Sequence, residues 1–191
     1  MQATMPIMQA NMEAIAGSSS EAGPLRLEIE QVFGEYKELV FRAAYRVTGN
    51  SSDAEDVLQT VFLRLLRQEQ MPEIRSLRAY LHRAAINAAL DLIRMKREKQ
   101  NLPLEDQPEQ AGADSAASLQ ESGELQAWLR HALARLNPQW AEMFVLRFIE
   151  EYSNRDIARM MKTSAPTVAV ALYRTRAQLR KDYTAMMRGR R

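Results

Sequence analysis

Apolar residues in this chain recur at the spacing of a helix face, in two groups separated by a stretch that has little to bury. Ile29, Val32, Phe33, Tyr36, Leu39, Val40, Ala43 and Val47 keep the i, i+3, i+4, i+7 interval that gathers side chains on one side of a helix. Ala54, Val57, Leu58, Val61, Phe62 and Leu65 repeat the pattern, as do Leu77, Leu81, Ala84, Ala85, Ala88, Leu92 and Met95. Residues 98–124 then bring Pro103, Pro108, Gly112, Gly123, acids and small polar residues, the composition of a flexible linker. Beyond it Trp128, Leu129, Ala132, Leu133 and Leu136 open a second helical series. The expected fold is all-α: two small helical domains, residues 25–97 and 125–191, joined by the linker 98–124 and preceded by a disordered tail, residues 1–24, rich in Met, Ala and Ser.

Local signals mark where the helices start. Gly49-Asn50 ends the first, and Ser52 with Glu55 reads as a capping box for the second. Ser76 is placed to cap the third. Asn137-Pro138 combines a favoured N-cap with a proline in the first turn, predicting a helix over 138–149 that buries Trp140, Phe144, Val145 and Phe148. Ser153 and Asp156 cap a short helix containing Ile157, Ala158 and Met161; Lys162-Thr163-Ser164 forms a turn. The last helix, Ala165 to Asp182, turns Val168, Leu172, Thr175 and Leu179 inward.

Charge is distributed by segment. The net +2 divides into −2 over residues 1–24, +2 over 25–97, −6 over 98–124 and +8 over 125–191. A basic C-terminal unit set off by an acidic spacer suits a polyanion partner. The absence of cysteine excludes disulfides and thiolate metal sites, and His82 and His131, expected at the surface or a boundary, are too few for a zinc centre. No cofactor or metal is expected. The N-terminus lacks the basic-then-apolar order of a secretory leader, and no run reaches the roughly 18 apolar residues of a membrane span. A cytoplasmic protein without membrane insertion is the expectation.

A short helix, a three-residue turn and a longer helix with a basic outer face is the helix-turn-helix plan, whose second helix enters the major groove. Thr167, Ala169, Val170 and Tyr173 are candidates to face bases; Arg174 and Arg176, with Arg180 and Lys181, are candidates for phosphates. The third helix of the first unit carries Arg75, Arg78, Arg83, Asn87, Arg94, Lys96 and Arg97 against a single acid, Asp91, which also suits nucleic acid.

Three segments, in order, resemble bacterial RNA polymerase sigma factors of the sigma-70 family, in the extracytoplasmic-function (ECF) subfamily. Ser52 through Phe62 (SDAEDVLQTVF) is similar to the segment that binds core polymerase; Ala79 through Arg94 (AYLHRAAINAALDLIR) resembles the helix that reads the minus-ten element. Leu136-Asn137-Pro138 through Arg147, with Asp156-Ile157-Ala158 to Leu172-Tyr173-Arg174, resembles the minus-thirty-five domain. The resemblance implies that Asp53, Asp56, Gln59, Leu63 and Arg64 dock on the polymerase β′ clamp, and that Arg78, Arg83, Asn87 and Arg94 contact the minus-ten strand, with Asp91 pairing a neighbouring cation. It also implies a β-flap contact, promoter DNA as ligand, a monomer outside the holoenzyme, and no catalysis by the chain itself. An anti-sigma factor is a common family partner, though no residue here demands one.

The chain departs from the family pattern in places. Tyr80 stands where Trp is frequent and Ile86 where a base is frequent. Ala169 and Ala171 occupy customary basic positions of the recognition helix, which implies altered readout, since alanine cannot make the bidentate guanine contact. Glu151 replaces a customary Gly, which implies an altered turn. A helix-turn-helix regulator that binds DNA without recruiting polymerase is the alternative, distinguished by whether Asp53 to Phe62 binds polymerase. No Gly-rich phosphate loop, catalytic carboxylate motif or nucleophile elbow supports a nucleic-acid enzyme.

Overall fold

A computed structural model describes residues 23–67, 77–100 and 117–189. Every regular element among them is a helix: α1 Gly23–Thr48, α2 Ser51–Leu66, α3 Leu77–Gln100, α4 Ala117–Arg135, α5 Pro138–Phe148, α6 Asn154–Met160 and α7 Ala165–Gly189. Residues 1–22 of the expected tail and the Ser76 cap lie outside the described residues, as do 101–116, while the last two tail residues, Gly23 and Pro24, already belong to α1. The segment read as linker nevertheless contributes helix at both ends, through α3 to Gln100 and α4 from Ala117.

The first unit is a three-helix bundle. Gly49, at φ +67°, breaks the chain after α1, and α2 starts at once. Its cap is Asn50, whose side chain accepts from the Asp53 N–H at 3.2 Å, rather than the expected Ser52; the tight break brings the carboxamide to the first turn before Ser52 is reached. Val40, Ala43, Ala44 and Val47 of α1 are buried with Ala54, Val57, Val61, Phe62 and Leu65 of α2, and Phe33 meets Phe62 edge-on at 4.9 Å. Of the stripes read from periodicity, Val32, Phe33, Tyr36 and Leu58 are half-buried against this core, whereas Leu39 is half-buried outside it and the Ile29 side chain lies outside the described residues.

The second unit collects α4 to α7. Asn137 caps α5 by accepting from Gln139 N–H at 3.0 Å, with Pro138 at the first helical position, as expected. Leu133, Ala141, Val145, Leu146, Ile157, Val168 and Leu172 fill its core, and Trp128 of α4 packs edge-on against Tyr183 of α7. Phe148, expected inside, is 44% exposed, while Ala141, Glu142, Met143 and Leu146 are buried in its stead. The reason is position: α5 packs against α6 and α7 and also against α3, so its buried arc is wider than one stripe.

The two units touch. α3 packs on α1 and α2 along one side and on α4 and α5 along the other, so one apolar cluster runs through both units. This explains why Ile86, Ala89, Leu90 and Ile93 are buried although none belongs to the stripe read for that helix, whose Met95 is 45% exposed.

At the entrance to α6, Glu151 adopts φ +60°, the left-handed region that glycine enters freely and a side chain enters at a cost. Glu151→Gly is expected to stabilise the fold by about 1 kcal/mol, raising Tm by roughly 2–4 °C for a chain of this size. Glu151→Ala should give no such rise in the same thermal melt.

Candidate nucleic-acid interface

The helix-turn-helix is assembled by short-range hydrogen bonds. Ser153 Oγ accepts from Asp156 N–H at 3.2 Å and donates to the Asp156 carboxylate at 2.5 Å; Arg159 pairs with the other carboxylate oxygen. The Ser153 hydroxyl, then Arg159, hold the Asp156 carboxyl below its ordinary range. Lys162, at φ +52°, turns the chain after α6, and Thr163 N–H donates to Ala158 O at 2.9 Å. Ser164 then caps α7, accepting from Thr167 N–H at 3.2 Å and bonding its hydroxyl at 2.7 Å.

Along α7 the expected inward residues Val168, Leu172, Thr175 and Leu179 are buried, and the expected outward residues Thr167, Ala169, Val170, Tyr173, Arg174 and Arg176 are exposed. Tyr173 is 76% exposed, its aromatic ring turned outward rather than to the core. Ala171, expected beside Ala169 on the reading face, instead faces the core at 4% exposure, whereas Ala169 is exposed. Gln139, Trp140, Lys162, Thr167, Val170 and Arg174 line an open groove of about 610 Å³ beside this face. Arg176 lies over the Phe148 ring at 5.7 Å, a cation–π contact that fixes its direction.

On α3 the four expected contacts are not brought to one open surface. Arg78 is exposed, whereas Asn87 is half-buried. Arg94 donates to Asp91 at 3.0 Å, the pairing expected of Asp91, and its Nε and Nη2 are buried without a partner among the described residues. Arg83 turns to the second unit, where its Nε donates to Glu142 Oε1 at 2.6 Å and its Nη1 to Met160 O at 2.6 Å. His82 is not at the surface but 4% exposed at the boundary between units, hydrogen-bonded to Glu150 at 3.0 Å and Tyr152 at 3.1 Å. Burial, then the Glu150 carboxylate, pushes the Tyr152 phenol up from its ordinary value, so it stays protonated beside the imidazole. Glu142 and Glu150 went unnoticed in the sequence. His82, Ile86, Ala89, Leu90 and Ile93 form a second stripe on α3 at helical spacing, the one signal that could have revealed this boundary.

On α2, Asp56, Leu63 and Arg64 are exposed and Gln59 is half-buried, forming one accessible side. Asp53 does not share it. It is 9% exposed, and its carboxylate accepts from Lys96 Nζ of α3 at 2.5 Å, because the N-terminal turn of α2 leans on α3. Among the described residues no group of three His, Asp or Glu could hold a metal, and no helix is long and apolar enough to cross a membrane.

Fold and surface define a class: a helical protein in which a helix-turn-helix with an exposed, basic second helix is joined to a three-helix bundle. Family comparison gives the rest. Residues 32–99 match the model for Sigma-70 region 2, and residues 126–179 the model for Sigma-70, region 4. The chain is 32% identical over 166 residues to the ECF RNA polymerase sigma factor SigE of Mycolicibacterium smegmatis, covering 82% of this chain and 61% of that one. It is also 32% identical over 160 residues to the RNA polymerase sigma-E factor of Streptomyces coelicolor, covering 83% and 88%. In fold it is similar to the structure titled CnrH in complex with the cytosolic domain of CnrY, at TM-score 0.52 and 22% identity over 86% of this chain and 92% of that one. The chain belongs to the sigma-70 family, among the ECF RNA polymerase sigma factors. Its function is that of the family, promoter-directed initiation of transcription, and a DNA-binding regulator that never recruits polymerase is not favoured.

Proposed function

We propose that this chain binds core RNA polymerase through the exposed side of α2, reads the minus-ten element with α3 and the minus-thirty-five element with α7, and leaves all chemistry to the polymerase. The observation that carries this reading is the pairing of a region 2 bundle with an exposed recognition helix whose Thr167, Val170, Tyr173 and Arg174 face outward. The β′ clamp is the partner for Asp56, Gln59, Leu63 and Arg64, and the β flap a partner for the second unit. Within the first unit, Arg78, Arg83, Asn87 and Arg94 hold the minus-ten strand, and Asp53 supports the docking side from beneath through Lys96. The protein works in the cytoplasm, as a monomer outside the holoenzyme, with an anti-sigma factor as a further expected partner. In vitro transcription with purified core polymerase and a genomic library tests the proposal. Start sites that depend on the chain are expected, and their absence rejects it.

The recognition helix has its own test. Cations that meet phosphates release counterions, so Arg174→Ala should lower the slope of log affinity against log salt by about one. Arg176→Ala should lower it less, because its guanidinium is already committed to Phe148. Anisotropy titrations of promoter DNA across a salt series read both slopes, and an unchanged slope removes the residue from the phosphate contacts.

A further inference from the structure

We propose that a small pocket between α3, α4 and the α1–α2 break binds a dianionic phosphoryl group, that of orthophosphate or of a small phosphate monoester. The pocket holds about 120 Å³ and is lined by Thr48, Asp53, Lys96, Arg97, Arg130 and His131. Its single acid is already spent, since Asp53 accepts from Lys96 Nζ at 2.5 Å. That pairing leaves Arg97 and Arg130, both half-buried, and among the described residues neither guanidinium meets a carboxylate or donates a hydrogen bond. Two charges of one sign, partly out of water on the walls of one small space, repel each other, and an anion between them turns that repulsion into attraction. Nothing in this site depends on the promoter-binding roles proposed above.

The cations are placed rather than free to wander. A Cβ on Gly49 would collide with Arg130 Nη1, so this guanidinium lies against the bare turn at φ +67°. Lys96 is held by Asp53, and Arg97 follows it on α3. Ile93 and Ala134, each 8% exposed, complete the lining with apolar surface, which lowers the local dielectric and strengthens the pull on an anion. An arginine fork matches phosphate oxygens two at a time, and two forks balance the charge of one phosphate monoester, close to −2 at neutral pH. Size selects further. The space equals that of about four waters, enough for a phosphoryl group, and falls short of the roughly 300 Å³ at which sites for whole small molecules begin. The remainder of an ester therefore stays outside. An internal phosphodiester carries one charge and a sugar on either side, so it fits neither the charge nor the walls.

The full-length chain is titrated at constant ionic strength with orthophosphate, with glycerol phosphate and with an unphosphorylated, dye-labelled DNA single strand, chloride serving as reference. Phosphorus NMR reads the first two, anisotropy the third, and thermal melts accompany each. We expect one or both phosphates to bind and to raise Tm progressively over chloride, the tighter of the two identifying the source of the phosphoryl group. Arg97→Gln combined with Arg130→Gln should keep the parental helicity and Tm without phosphate, because neither side chain holds a partner, and should lose phosphate affinity by at least about tenfold. Arg130→Lys, which keeps the charge and loses the fork, should fall between and decides the matter should the double variant lose helicity. Phosphates that raise Tm no more than chloride overturn the site, as does phosphate affinity equal in parent and folded variants. A loss confined to the DNA strand assigns both arginines to the DNA backbone and overturns it too.

Discussion

Leu172→Asp unfolds the second helical unit. Leu172 is 6% exposed, one turn from Val168 and Thr175, both fully buried, in the face that α7 turns to the core. α7 packs there against α5 and α6, whose Val145, Leu146 and Ile157 are fully buried. An aspartate at that position either ionises without a partner or takes up a proton, and either way it costs several kcal/mol. A small domain has only about 5–15 kcal/mol to lose. The damage should reach the first unit, because losing α5 exposes the dry strip of Ile86, Leu90 and Ile93 on α3. The expected melt therefore shows a lower Tm in the first unit and no cooperative transition in the second. Leu172→Met, which keeps volume and polarity, should cost less than about 1.5 kcal/mol. A Leu172→Asp chain with the parental melt would show that α7 packs on a different side.

What could be read from the residues was what local physics decides. Asn137-Pro138 and Ser153-Asp156 cap their helices as expected because a cap needs only a side-chain oxygen and the next few N–H groups. The outward set on α7 was legible for a similar reason: one stripe faces one core, and what is left faces outward. Choices that depend on a distant element were not legible. Periodicity shows that a helix has an apolar side, but α3 has two such sides, and only the docking of α4 and α5 tells that His82, Ile86 and Ile93 are covered. Phe148 and Ala171 exchanged expectations for the same reason, one exposed and the other buried by the way α5 and α7 cross. Asp53 and Arg83 read as free charges because their partners, Lys96 and Glu142, lie 43 and 59 residues away.

That distinction between free and committed charge sets up the second large effect. Replacing Asp56 and Gln59 together by Ala is expected to weaken association with core polymerase by at least about 2 kcal/mol, roughly 30-fold, the loss typical of central interface residues. Helix α2 should survive, since Asp56 is exposed and alanine is the best helix former. Asp53→Ala provides the contrast. Its carboxylate is spent on Lys96 inside the first unit, so its removal leaves a half-buried ammonium unpaired and should appear as a lower Tm. Binding titrations with core polymerase and thermal melts on these two variants and the parent chain separate the two roles. Lost affinity at unchanged Tm assigns Asp56 and Gln59 to the docking side, whereas full affinity in the double variant moves that side off this face of α2 altogether.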